Sequence, residues 1–165
     1  MSWHTLEPAD SSVFVEAPII YRFPARLPVP PERVWESLAS DRSMWDWGVG
    51  VRRLTWTSPR PFGVGTTREV VLPLATMTVR EKFFRWDEGK GYSFYVAETN
   101  RPGIARFAED YAIEADGNGS VFTWTIALEP RSALLPVLRL AGPLNKMAFG
   151  QVPRAAKKYF ARSAV

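Results

Sequence analysis

The chain has 165 residues, 46% hydrophobic and 13% aromatic, enough for one domain spanning 1–165 with a real core. With no cysteine and a single histidine, His4, it has no means for disulfides, thiolate catalysis, Cys- or His-based zinc sites, or a histidine triad within one chain. The net charge of +4 comes from bases interleaved with acids, the pattern of a solvated surface rather than a nucleic-acid footprint.

Residues 1–12 read as a loose polar lead-in, with His4 exposed and inert. Glu7, Pro8, Asp10 and Glu16 leave no apolar block there, so no secretory leader is expected. No apolar run approaches the ~20 residues needed to span a bilayer. A cytoplasmic protein is expected. From 13 to 29 the pattern is strand-like, with Tyr21, Phe23, Ala25, Leu27 and Val29 on one parity and Arg22, Pro24, Arg26 and Pro28 on the other. Prolines repeated on one parity cannot donate to a ladder, which argues for an edge or the open side of a bent strand. Pro30, Pro31 and Glu32 open a helix whose buried stripe is Val34, Trp35 and Leu38. Asp41 is placed to cap a second short helix that brings Trp45 and Trp47 inward.

Strands are then expected over 51–57, 66–72, 77–87, 92–99, 104–114 and 121–129. Gly63 and Gly65 read as turn glycines, since a strand and not a helix follows them. Asp116–Gly117–Asn118–Gly119 is the strongest hairpin signal. Residues 132–162 are helical, interrupted at Gly142–Pro143 and weakened at Gly150 and Pro153. Leu144, Met147, Ala148, Val152, Ala155, Ala156 and Tyr159 recur at helical spacing as one apolar stripe, expected to face the sheet. Strands joined by short loops, with helices gathered on one side, make an α+β protein with an antiparallel sheet.

Several local motifs, in order, resemble the START/Bet v 1-like (SRPBCC) superfamily, in particular its polyketide cyclase/dehydrase and lipid-transport branch. The most specific runs from Val29 to Asp41, with Pro30, Glu32, Val34, Trp35 and Leu38 in the order of that family's strand-to-helix signature. Trp47, Gly65–Thr66, Glu81 with Trp86–Asp87, and Thr123–Trp124–Thr125 with Glu129–Pro130 fall where the family has similar residues. The resemblance extends from about Tyr21 to Tyr159. It implies a helix-grip fold: a seven-stranded curved antiparallel sheet wrapped around a long C-terminal helix, with two short helices after the first strand. It also implies a cavity for hydrophobic or amphipathic molecules between sheet and helix, and carries no universal catalytic residue.

Strand parity gives a separate estimate of what faces that cavity. Phe107, Tyr111 and Ile113 share a face with Glu109, and Phe122 and Trp124 with Ile126 and Leu128. Val79 and Phe83 share one with Glu81, and Val70 and Leu72 share one with Arg68. Strand 92–99 allows either parity. The link 73–76 lets Leu72 stand opposite Met77, so Val70 meets Val79 and Arg68 meets Glu81. The expected ligand contacts are thus Arg68, Val79, Glu81, Phe83, Phe107, Glu109, Tyr111, Phe122 and Trp124 from the sheet, with Leu144, Met147 and Ala148 from the helix. No metal and no cofactor is expected.

Three readings of function follow. The first is binding or transport of a lipid, polyketide or fused-ring compound. The second is a polyketide cyclase or dehydratase, with Glu81 or Glu109 as general base and Arg68 or Tyr111 stabilising an enolate. The third is a non-catalytic regulatory domain, whose sign is a filled interior and an exposed apolar patch. Oligomeric state is left open.

Overall fold

The computed structural model describes residues 2–72 and 77–163, so the link 73–76 lies outside the described residues. Eight strands form one antiparallel sheet: β1 (His4–Thr5), β2 (Ile19–Leu27), β3 (Arg53–Trp56), β4 (Thr67–Leu72), β5 (Met77–Asp87), β6 (Gly91–Thr99), β7 (Ile104–Asp116) and β8 (Gly119–Pro130). Their order is β2-β8-β7-β6-β5-β4-β3, with β1 paired to β6. The helices are α1 (Val13–Glu16), α2 (Pro31–Leu38), α3 (Leu135–Leu140), α4 (Gly142–Phe149) and α5 (Gln151–Ser163). This is the expected α+β helix-grip arrangement, and proline-bearing β2 is indeed an edge.

The register follows from alternation. Leu72 stands opposite Met77, Val70 opposite Val79 and Arg68 opposite Glu81. Between β5 and β6 the pairing shifts twice, near Arg80/Glu81 and near Phe83/Arg85, which puts Trp86 opposite Tyr92. The second bulge decides the parity that the residues of β6 leave open: Tyr92, Phe94 and Val96 join the concave core and Tyr95 goes to the outer face. At the head of β6, Gly91 has φ +133°, and a Cβ there would lie 1.9 Å from the Tyr111 carbonyl oxygen, so only glycine fits. The tight turn from Asp116 to Gly119 uses Gly117 at φ +60°.

The two ends of the concave face are built differently. Under α2, Val34, Trp35 and Leu38 close on Trp47, Phe83, Tyr92, Phe122 and Phe160 in one aromatic core. α5 lies across β2 and buries Val152, Ala156 and Phe160. The opposite end is where β4, β5, β6, β7 and β8 stop or start, and there Leu72, Met77, Ile104, Phe107 and Leu128 are only half-buried. α4 approaches the sheet through Phe149, whose ring centroid is 5.7 Å from Tyr21 and 6.0 Å from Trp124.

Four expectations need correction. Residues 4–7 are not a loose lead-in: the Leu6 amide donates to the Ala97 carbonyl and the Glu7 amide to the Ala105 carbonyl. They run between β6 and β7 where those strands part, and Leu6 is buried with Val79 and Val96. Residues 13–16 form a helical turn rather than strand, because Val13 and Ala17 must seat on Ala108 and Ala127 of the outer face. Asp41 does not cap the 3₁₀ turn Ser43–Asp46; the Ser40 hydroxyl accepts the Ser43 amide instead, while Asp41 pairs with Arg60. Within that turn Trp45 is 37% exposed, and Met44 takes the inward position.

Candidate functional site

Two polar groups sit on the concave face. In the first, the Arg68 Nε–H donates to Glu81 Oε2, and both side chains are almost wholly buried. The Arg68 Nη1 donates to the Ser43 hydroxyl at 3.2 Å, which in turn lies 3.3 Å from the Tyr92 hydroxyl. The rings of Trp56, Phe83, Tyr92 and Phe94 stand 5.3, 5.0, 5.7 and 4.6 Å from the guanidinium carbon. Burial disfavours the charge on Arg68, but Glu81 together with Tyr92 and Tyr111 more than offsets it and the arginine stays protonated. Burial likewise pushes the Glu81 carboxyl up, and Arg68 pulls it back. The hydrogen bonds of this pair run within the protein, and among the described residues no buried side-chain N or O lacks a partner.

The second group is Glu109. Its Oε2 accepts hydrogen bonds from the Tyr111 hydroxyl at 2.7 Å and the Trp124 indole N–H at 2.9 Å. Among the described residues no hydrogen bond falls on its Oε1 and no cation pairs with it. The side chain is partly accessible, unlike Tyr111 beside it, which is fully buried. Burial first, then the nearby charge of Glu81, push its carboxyl up to about 7, against the pull of its two donors and of Arg68. Burial also lifts the Tyr111 hydroxyl well above its usual range, so it stays a donor. The result is a carboxyl poised between protonation states at neutral pH, half-buried among apolar neighbours.

Residues 22–162 match the family model described as polyketide cyclase / dehydrase and lipid transport. The chain belongs to this family. An uncharacterized protein of Mycobacterium tuberculosis is 32% identical over 143 residues, covering 87% of this chain and 85% of its own length. A START superfamily protein from Mycobacterium smegmatis superposes with a TM-score of 0.68 at 7% identity, covering 87% of this chain and 97% of that one. Ara h 8.0201 does so with a TM-score of 0.64 at 17% identity, covering 87% and 98%. The structures share the fold; the family description points to hydrophobic substrates and cargo.

Measured against that family role, the expected contacts divide into three groups. Phe107 and Glu109 lie half-buried on the concave face, with the buried Trp124 beside them. Val79, Phe83, Tyr111 and Phe122 are there too but sealed in the core, as are Arg68 and Glu81. Leu144, Met147 and Ala148 are not on the inner wall: Leu144 is 63% exposed, Met147 61%, and Ala148 is exposed as well. The inward face is a different one: it runs from half-buried Leu135, Leu138 and Phe149, past Gly150 in helical backbone (φ −60°), to Val152, Ala156 and Phe160, and Leu144 and Met147 lie off it. Sequence reasoning missed Ser43, whose backbone sits at φ +46°, an uncommon setting for a non-glycine residue. It also missed Leu6 and Phe149, although an isolated apolar residue in a polar segment and an aromatic next to Ala148 were signals for both. Among the described residues no cluster of His, Cys, Asp or Glu could hold a metal, and no helix is long and apolar enough to cross a membrane.

Proposed function

We propose that this protein binds a hydrophobic small molecule, a lipid, polyketide or fused-ring compound, on the open half of the concave face, with its polar end at Glu109. One observation carries this: Glu109 is a partly accessible carboxyl with two side-chain donors and, among the described residues, no cation, set beside half-buried Phe107 and Leu128. Burying ligand carbon supplies the affinity, at ~25 cal/mol per Å². One hydrogen bond at Glu109 fixes the orientation. Native mass spectrometry of protein purified without detergent, followed by titration with the hydrophobic probe ANS, tests it. The expected result is a co-purifying apolar molecule that ANS displaces. Protein that carries nothing and leaves ANS fluorescence unchanged would reject it.

A second reading, polyketide cyclisation or dehydration, is favoured by the neutral-range carboxyl of Glu109, since a general base works best near the ambient pH. Glu81 is a poorer candidate because its carboxyl is buried and engaged by Arg68. Exchange of α-protons of a poly-keto substrate into deuterated water, lost in Glu109→Gln, would support this reading. Equal exchange by the variant would sink it.

A further inference from the structure

The outward face of α3 and α4, with the turn before them, is an exposed apolar feature that the concave site does not use. Leu134 is 38% exposed, Val137 60%, Leu140 87%, Leu144 63% and Met147 61%. They recur every three or four residues, and the helix is nearly continuous across Ala141, whose amide donates to the Val137 carbonyl and whose carbonyl accepts from Asn145. One stripe therefore runs over both helices, on the side away from half-buried Leu135, Leu138 and Phe149. Charge is segregated along the same stretch. After Glu129 the chain has seven Lys or Arg and not one Asp or Glu. Arg131, Arg139 and Lys146 are exposed along the stripe's own segment, and the other four are exposed on α5.

We propose that the α3–α4 face docks on an anionic lipid surface, with its apolar stripe at the headgroup level and its cations on the phosphates. An amphipathic helix with basic flanks and exposed Leu, Val and Met is the pattern that lies in the plane of an interface. Cations near an anionic bilayer strengthen that attachment. Charge argues against a second copy of this chain, since a dimer through this stretch would bring together two segments that each carry seven Lys or Arg and no Asp or Glu. Position argues for lipid as well. The Arg131 amide donates to the Gly103 carbonyl at 2.9 Å, which ties the start of this helical stretch to the β6–β7 loop at the open end of the concave face. Docking there brings the mouth to the bilayer. That last step rests on the ligand reading above; surface binding itself does not.

Flotation with vesicles of phosphatidylcholine alone, or with 30% phosphatidylglycerol, tests the proposal. The expected result is binding at least about tenfold stronger to the anionic vesicles, falling steeply as salt is raised. Val137→Gln with Leu140→Gln should weaken it about tenfold or more, and Arg139→Gln with Lys146→Gln should remove the preference for anionic lipid. Both variants alter exposed side chains, and circular dichroism and ANS titration should match the parent. No vesicle binding, binding indifferent to both variants, or a dimer dissolved by the first variant without vesicle binding would each overturn the proposal. Lost ANS binding with vesicle binding intact would instead count against the concave-site reading alone.

Discussion

Arg68 on β4 and Glu81 on β5 stand directly opposite each other across the ladder, and four aromatic rings enclose the guanidinium between them. Two charges taken from water at this depth stabilise the fold only as a pair. Glu81→Gln or Arg68→Ala should each cost about 3–5 kcal/mol, because each strands the other charge. The double variant Arg68→Met with Glu81→Leu should cost less than either. Urea unfolding of the three variants checks this, and single losses that simply add in the double would show that the two residues are not coupled.

Glu109 gives stability a pH dependence of a particular sign. Its folded value of about 7 lies above the ordinary 4.5, so the native state holds the proton more tightly than the unfolded chain. The resulting stabilisation is present below about pH 4.5 and is lost as pH rises through about 7. Its size is about 2 kcal/mol, after allowance for partial solvent access. Glu109→Gln should flatten the pH profile of the urea midpoint across that window; a variant with the parental slope would place the titration elsewhere.

Removing one donor isolates the local contribution. Trp124→Phe keeps the ring and loses the indole N–H that stabilises the ionised carboxyl, so the Glu109 value should rise further. Titration of the Glu109 side-chain carbon signal by NMR reads this directly. A fall, or no change, would mean that the 2.9 Å contact does not act on the charged form.

The two tryptophans should separate binding from scaffold. Trp35 packs on Trp86 at 5.3 Å and donates to Glu88 under α2, away from the open end. Trp35→Ala should lower stability by about 3–5 kcal/mol with little effect on ANS affinity. Trp124→Ala should weaken ANS binding by more than it destabilises, relative to Trp35→Ala. Equal losses of probe affinity in the two folded variants would place the probe elsewhere.

Gly150 separates α4 from α5, and its amide bonds to the Lys146 carbonyl at 3.0 Å. If Phe149 at the end of α4 closes over a ligand, hydrogen exchange at Gly150 should slow when ANS saturates the protein. An unchanged rate at saturation would show that α4 takes no part in binding.

The fold was largely written in alternation. Val70 and Leu72, with Met77 and Val79, allow only one register for β4 on β5, and that register dictates the meeting of Arg68 with Glu81. Parity likewise brought Glu109, Tyr111 and Trp124 to one face. α4 shows where such reasoning stops. Leu144 and Met147 at helical spacing establish that one side of the helix is apolar, but not that this side meets the sheet. The side that does meet it carries Leu135, Leu138 and Phe149, and it continues past helical Gly150 into Val152, Ala156 and Phe160. Ser43 was invisible for another reason: its contact with Arg68 depends on a left-handed backbone setting that no residue pattern there announces. The parity of β6 was open because it hinges on a single extra residue in β5.

Residues 4–7 complete a sheet that would otherwise be split. Where β6 and β7 separate, Ala97 and Ala105 would present unpaired carbonyls on two inner edges, and the Leu6 and Glu7 amides occupy them. The protein thus complements itself by donating a strand, and the slit it fills has the geometry that accepts any extended backbone. Without this segment the same slit becomes an adhesive edge open to foreign strands, and the apolar floor around Leu6 loses its plug.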